Sequence, residues 1–396
     1  MHTPRRRPLL TRPRDGVRGA RWTRRQVTSV AAGAVTALLA LVAMTVPVPY
    51  VVQQPGPSFD TLGTVDDIHL VSIDGAPTYP TDGELRLTTV SVAGGPDYPV
   101  NLSRLLQAWF HPDQVAVPRE QYYPQDVSQD QIRERASQEM VSSQTSASVA
   151  ALEELGIAVP TVLTVGYVDP HTSAQGVVAE GDVLTGITVR DRITQIVDFA
   201  TLADVLADVA PGTGITLTVL REGEPTDLTF PTGSRKERDA MAGMPVDPAA
   251  PDSSVLGVGL LPDAELPFDV EFRIDDVGGP SAGLMFALAA VDLLTPGEMT
   301  GGEQIAGTGT ISLDGTVGAI GGVRQKIVGA LDDGARWFLV PAANCAELAG
   351  NVPDGVREVP VEALADARDA VETIGGGDDA AIEELPRCES VVRGGG

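Results

Sequence analysis

Lysine is nearly missing from this sequence. Of its 28 cationic side chains only two, Lys236 and Lys326, are lysine, and the rest are arginine. Arginine keeps its proton in proteins, so an amine acting as a general base has only these two candidates. Aromatic residues amount to 4%, and no basic patch interleaved with them occurs after residue 26. Residues 1–26 hold nine arginines against one acid, Asp15, inside a total charge of −26, so the body beyond them is strongly acidic. Such a body repels phosphate backbones, and nucleic acid is not expected as a partner. The four histidines, His2, His69, His111 and His171, are scattered, with no His-Glu-x-x-His arrangement. Only distant ligands converging in space could build a zinc site, and no metal is expected. No Gly-x-x-x-x-Gly-Lys-[Ser/Thr] loop is present either, which leaves no expected nucleotide or other cofactor. Cysteine occurs twice, as Cys345 and Cys388. An oxidising compartment would permit a disulfide between them, and two free thiols are the other reading.

What the sequence does have begins with one long apolar run. Residues 27–46 are uncharged and mostly apolar, long enough to cross a bilayer once as a helix. The arginine-rich tail 1–26 would stay in the cytoplasm and send the rest of the chain outside. The chain is therefore expected in the cell membrane, single-pass, with its N-terminus cytoplasmic. A cleaved signal peptide competes with this reading, although its apolar core is usually only ~7–15 residues.

Beyond the run, residues 58–129 read as a β-rich segment with no assignable chemistry, Leu85–Val92 being its clearest strand. A helix ending at Gly156, strands at Val162–Val168, Val183–Thr188, Ile215–Arg221 and Thr226–Phe230, and a helix at Phe199–Val209 mark a small β-barrel unit over 130–234. A linker spans 235–254. An α/β unit over 255–374 follows, with an all-round apolar helix at Ser281–Leu294, a strand at Ile305–Leu313 turning at Asp314-Gly315, and a helix at Val323–Leu331. Residues 375–396 form a tail, unless Cys388 is tied down.

Two residues of the last unit carry chemistry. Lys326 falls within the apolar stripe Val323, Ile327, Ala330 and Leu331, where burial lowers an amine pKa towards ~7–8. Gly278-Gly279-Pro280-Ser281-Ala282-Gly283 delivers a serine to the start of the apolar helix. A serine hydroxyl needs a base to become a nucleophile, and N–H groups at a helix start can hold a developing oxyanion. Gly279 and Ala282, which flank Pro280-Ser281, are the supporting positions. A serine helix cap beside a lysine that extends its ammonium to water is the alternative.

Gly-Pro-Ser-Ala-Gly, followed by Ala306-Gly307-Thr308-Gly309-Thr310-Ile311-Ser312-Leu313-Asp314-Gly315 and by Val317–Lys326, resembles the proteolytic domain of Lon-type serine peptidases. The resemblance covers about 255–374. It implies Ser281 as nucleophile, Lys326 as base and Thr308 as a hydroxyl orienting the lysine. Gly278 departs from the aspartate common at that place, and Asp275 and Asp276 are near it at a different spacing. Gly181-Asp182-Val183-Leu184, Asp198–Leu202 and Gly212–Val219 resemble a PDZ domain of bacterial exported proteases, with its groove either open to peptides or occluded. Together these resemblances imply an α+β multidomain protein: a single N-terminal transmembrane helix, a PDZ-like small β-barrel and a Lon-type α/β proteolytic domain. The activity implied is ATP-independent Ser-Lys endopeptidase action on extracytoplasmic unfolded or flexible polypeptides, in a homo-oligomer with a hexameric ring as one form. A catalytically silent scaffold on the same folds is the other functional reading.

Overall fold

The structure is a computed structural model that describes residues 23–65, 68–95, 98–123, 129–237, 252–274 and 277–394. Most of the basic tail, the larger part of the expected linker, and Asp275 and Asp276 lie outside the described residues.

Helix α1 (Arg24–Thr45) starts at Thr23, whose hydroxyl accepts from the Gln26 N–H. It is apolar on all sides yet buries no residue, so packing within the chain does not account for its composition. At 1.5 Å per residue it is about 33 Å long, the thickness of a bilayer core, and it is the one described helix long and apolar enough to cross a membrane. Strands β1 (Tyr50–Asp60), β2 (Val71–Asp74) and β3 (Glu84–Ala93) follow, then α2 (Leu102–Phe110) and β4 (Val115–Pro118). The long helix α3 (Gln129–Glu154) ends ahead of Gly156, which takes the left-handed conformation with φ 75°.

Next come β5 (Thr161–Val168), β6 (Val183–Val189), β7 (Arg192–Gln195), α4 (Phe199–Ala207), β8 (Gly214–Arg221) and β9 (Glu224–Pro231). The remaining elements are β10 (Val258–Ala264), β11 (Asp269–Phe272), α5 (Gly283–Leu294), β12 (Gln304–Gly307), β13 (Thr310–Ile311), β14 (Val317–Gly318), α6 (Val323–Asp332), β15 (Trp337–Pro341), β16 (Arg357–Val361), α7 (Leu364–Gly375) and α8 (Cys388–Gly394).

Two six-stranded sheets organise these elements. One is mixed, in the order β16-β15-β12-β3-β1-β4, parallel from β16 to β3 and antiparallel beyond. The other is antiparallel, in the order β9-β8-β6-β5-β10 with β7 paired to β6. This pairing differs from the expected division at 58, 130 and 255. The β-rich segment, with the eight residues before it, supplies β1, β3 and β4 to the sheet that holds β12, β15 and β16, while β10 leaves the last unit to pair with β5. The physical reason is burial. Val51, Val52, Leu85 and Leu87 are fully buried, and strands so apolar need neighbours on both edges and cover on their faces.

Helix α5 is the centre of the larger core. Every residue from Gly283 to Asp292 is buried, which explains its all-round apolar composition. Leu284, Met285, Phe286, Leu288 and Val291 each contribute roughly 1.5–3 kcal/mol by leaving water. Helix α3 packs beside it and serves both sheets: Ala147, Ala150 and Ala151 join the α5 core, while Val149 and Leu152 join the core of the second sheet.

One further expectation differs from what is observed, and one is decided between its alternatives. The strand expected over Ile305–Leu313 is broken into β12 and β13 at Thr308-Gly309. The described part of the tail, residues 375–394, holds helices Asp379–Glu384 and α8, the outcome expected with Cys388 tied down. A disulfide between Cys345 and Cys388 holds it, with both residues buried beside Val340 and Leu348.

Candidate active site

The first turn of α5 sets out the site. Ala282 occupies the cap position and no side chain caps the helix, so the Ser281 hydroxyl is not used up as a cap. Lys326 Nζ stands 2.6 Å from Ser281 Oγ and 2.9 Å from Thr308 Oγ1. Lys326 is 3% exposed, so its ammonium does not reach out to water. The geometry thus departs from the alternative of a capping serine and a solvated lysine.

Helix α6 carries the lysine. It begins after Gly322, which takes a left-handed φ of 71°, and it packs Val323, Ile327 and Ala330 against Phe338 and Val340. It also lies hard against β1. A Cβ on Gly329 would come within 2.6 Å of the Gly56 carbonyl oxygen, so only glycine permits this approach. With its neighbours locked in this way, Lys326 has no path to the surface.

Thr308 owes its place to the strand break. Its N–H donates to the Leu339 carbonyl at 3.1 Å, and the Gly309 N–H donates to the Ser281 carbonyl at 3.0 Å. The Thr308 hydroxyl also donates to the Ser281 carbonyl, at 3.0 Å, which leaves its lone pairs for the lysine. The serine backbone is thereby fixed from two donors while its Oγ faces the amine.

Burial pushes the Lys326 amine down from 10.5 to about 7, because a charged ammonium loses its hydration there. Near neutral pH a substantial share is therefore the free amine, with a lone pair for the serine proton. Gly279, with φ 87°, makes the turn before Ser281, but its N–H donates to the Ala136 carbonyl of α3 at 3.2 Å. It shapes the turn and is not a free oxyanion donor. The N–H groups of Ser281 and Ala282 have no protein acceptor among the described residues and sit at the positive end of α5.

Helix α3 makes contributions that sequence reasoning missed. Ser143 donates through its hydroxyl to the Pro280 carbonyl at 3.0 Å, holding the residue before the serine. Ala136 faces Gly278, where an added Cβ would lie 3.0 Å from the alanine Cβ. The space an acid would occupy at Gly278 is thus filled by helix. No local signal pointed to either residue, since α3 sits more than a hundred residues upstream and reads as part of another unit. Beside Pro280 a groove with a volume of about 380 Å3 is lined by Ser143, Tyr167, Leu260, Leu261 and Ile311. Among the described residues no cluster of histidine, cysteine or acidic side chains could hold a metal ion.

Comparison with known proteins matches the part of the chain that carries this site. Residues 276–372 match the Lon protease (S16) C-terminal proteolytic domain. The archaeal Lon protease of Methanothermobacter thermautotrophicus is 33% identical over 120 residues, 30% of this chain and 18% of that protein. Lon protease of Xanthomonas oryzae pv. oryzae is 31% identical over 138 residues, 34% of this chain and 16% of that protein. Lon protease 1 of Thermus thermophilus is 33% identical over 174 residues, 42% of this chain and 18% of that protein. The chain spans less than a fifth of the length of these curated relatives. Ser281, Thr308 and Lys326 all lie within the stretch that matches the Lon protease proteolytic domain.

Proposed function

We propose that this chain is a serine endopeptidase in which Ser281 is the nucleophile and Lys326 the general base. The observation that carries the reading is a lysine amine, almost fully buried, at 2.6 Å from a serine hydroxyl that caps nothing. In the first step the neutral amine takes the Oγ proton as oxygen attacks the peptide carbonyl. The N–H groups of Ser281 and Ala282 hold the resulting oxyanion. The ammonium then returns its proton to the leaving amine. A water molecule, deprotonated by the same lysine, releases the acyl group. Thr308 fixes the lysine rotamer throughout by accepting one of its hydrogen bonds.

The substrate in this reading is an extended polypeptide, since the groove beside Pro280, bordered by strand β10 and helix α3, has a volume of about 380 Å3, enough for side chains and not for a folded domain. Hydrolysis proceeds without ATP in this reading, in keeping with a sequence that carries no phosphate-binding loop. Helix α1 anchors the enzyme in the membrane with the arginine tail inside, and the catalytic body acts outside the cytoplasm, where a Cys345–Cys388 disulfide is stable. Self-association into a ring, six subunits being the form implied by the resemblance, would keep the lysine environment dry.

The second sheet with α4 corresponds to the PDZ-like unit. The outer edge of β5, where a peptide would add as a strand, is taken by the chain's own β10 in antiparallel pairing with one register shift between Gly259 and Leu260. The unit accordingly acts as a fixed support for β10, which precedes β11 on the way to Ser281. A cavity of about 360 Å3 lined by Phe199, Leu202, Leu206, Val255 and Leu256 remains beside α4 for a partner's side chain.

The test uses the full chain in detergent with an unstructured protein as substrate and no ATP. Wild type is expected to cleave it, while Ser281→Ala and Lys326→Arg each lose roughly 10³-fold or more, since arginine keeps the charge but cannot serve as base. Equal, negligible turnover in all three would favour the scaffold. Substantial cleavage by the arginine variant would overturn the base assignment. Light scattering in parallel reads association, and full activity in a monomer would refute the ring.

A further inference from the structure

Aromatic side chains are scarce in this protein, and the three most exposed among the described residues all fall between residues 98 and 110. Tyr98 and Phe110 are 84% exposed and Trp109 is 66% exposed, with Leu106 at 38% beside them. Leu106, Trp109 and Phe110 share one face of α2 through their i, i+3, i+4 spacing. The opposite face is already used: Leu105 and Ala108 are buried against Val52 and Val100. Helix α2 therefore cannot roll over to hide its outer face.

That face stands at the end of α1. The Asn101 side-chain amide, at the start of α2, donates to the Met44 carbonyl in the last turn of α1 at 2.7 Å. Pro47 and Asn101 form a bridge, and the Val48 N–H donates to the Val100 carbonyl at 2.8 Å. Tyr98 lies two residues from that bond. These contacts hold the aromatic patch within a helix length of the point where α1 gives way to β1.

The charge pattern singles out the same place. The chain has 54 acidic residues, yet none falls between Asp15 and Asp60 and none between Tyr98 and Pro112. The second stretch carries Arg104 and His111 instead. Carboxylates are costly to bring against lipid, and tryptophan and tyrosine favour the headgroup layer, where a ring can be half apolar and half wet.

We propose that the outer face of α2, with Tyr98, rests in the interfacial layer of the bilayer that α1 enters, on the side away from the basic tail. It fixes the tilt of the catalytic body and holds it close to the membrane surface. Arg104 supplies a contact for lipid phosphate. This rests on reading α1 as a membrane helix.

The experiment keeps the full chain and makes Trp109 its single tryptophan through Trp22→Phe and Trp337→Phe. The protein is reconstituted into vesicles of phosphatidylcholine and phosphatidylglycerol in equal amounts, with lipids brominated either near the glycerol or at the chain ends. Trp109 emission is expected to shift to the blue and to be lost mostly to the shallow bromines. An environment-sensitive dye on Phe110→Cys repeats the reading without relying on tryptophan replacement. Emission untouched by either lipid overturns the proposal. So does emission shielded from aqueous quenchers and from bromine alike, which would assign the face to a second copy of this chain. Alkaline washing of the same vesicles tests α1 separately. A chain that resists washing while Trp109 stays unquenched keeps the anchor and loses the α2 contact.

Discussion

Replacing Lys326 by methionine tests the burial argument without reference to catalysis. Methionine keeps a flexible apolar stem and removes the amine. Burial holds the lysine at about 7 against its ordinary 10.5. At ~1.4 kcal/mol for each tenfold change in proton affinity, carrying this side chain costs the fold about 4–5 kcal/mol at pH 7. Loss of the two hydrogen bonds to Ser281 and Thr308 offsets about 1–2 kcal/mol of that. The Thr308 hydroxyl keeps its own acceptor, the Ser281 carbonyl. The methionine variant should therefore be more stable than wild type by about 2–4 kcal/mol at pH 7. The sign of the pH dependence follows from the folded pKa lying below the unfolded one. Between the two values the unfolded chain binds more protons, so wild-type stability rises with pH across that window while the variant lacks this contribution. The penalty is fully present below pH 7 and gone above 10.5. Urea unfolding of both full chains in detergent, followed by circular dichroism at steps from pH 7 to pH 10, measures the gap. A gap independent of pH, or a variant less stable than wild type at pH 7, would refute the claim that the lysine is held against its own solvation.

Peptidase activity should rise up to tenfold per pH unit below the lysine pKa of about 7 and flatten above it, and a flat profile of kcat/KM against pH would mean that another group supplies the base. Gly278→Asp should force α3 away from the serine turn, because its Cβ would meet Ala136 at 3.0 Å. The expected cost is about 1–3 kcal/mol in thermal stability with a parallel loss of turnover, both partly restored by adding Ala136→Gly, and a fully active single variant would disprove the contact. Reducing the Cys345–Cys388 disulfide opens a loop with a sequence separation of 43, worth about 4 kcal/mol in chain entropy. A melting temperature unchanged by reductant would show that the bond is not formed or not stabilising.

Some of this molecule could be read directly from residue order. The apolar run over Ser281–Leu294 is a buried helix because it has no polar face to turn to water, and that alone places it at a core. The strands from Leu85 to Val92 and from Ile215 to Arg221 are strands because β-branched and apolar residues dominate them. What sequence pattern cannot supply is partnership. Leu85 pairs with Ile305, and nothing in either strand names the other across more than two hundred residues. The strand expected over Ile305–Leu313 failed for a related reason. Its composition favours extended chain throughout, and it breaks at Thr308-Gly309 because those backbone groups bond to Leu339 and Ser281. The placement of Lys326 in an apolar stripe was visible, and so was its proximity to a suitable serine through resemblance. The contribution of Ala136 and Ser143 was not, because a helix rich in alanine and serine carries no mark of what it leans on.

The serine turn is held by parts of the chain that come from everywhere except its own neighbourhood. Strand β11, just before it, pairs with β2 in the N-terminal segment. Strand β10 before that is fixed on the second sheet by β5. Helix α3 bonds Pro280 and closes over Gly278. Thr308 and Gly309 clamp the Ser281 carbonyl from the other side, and their own anchor, Gly307, accepts from the buried Thr88 hydroxyl of β3 at 3.0 Å. A Ser-Lys pair demands this degree of fixation. The amine gains nothing from a carboxylate partner and depends on dryness and on a distance of a few ångströms, either of which a loose turn would forfeit. Segments outside the matched stretch are therefore structural components of the same site, and the hydroxyl faces the lysine because every route by which the turn could relax is closed by a different part of the chain.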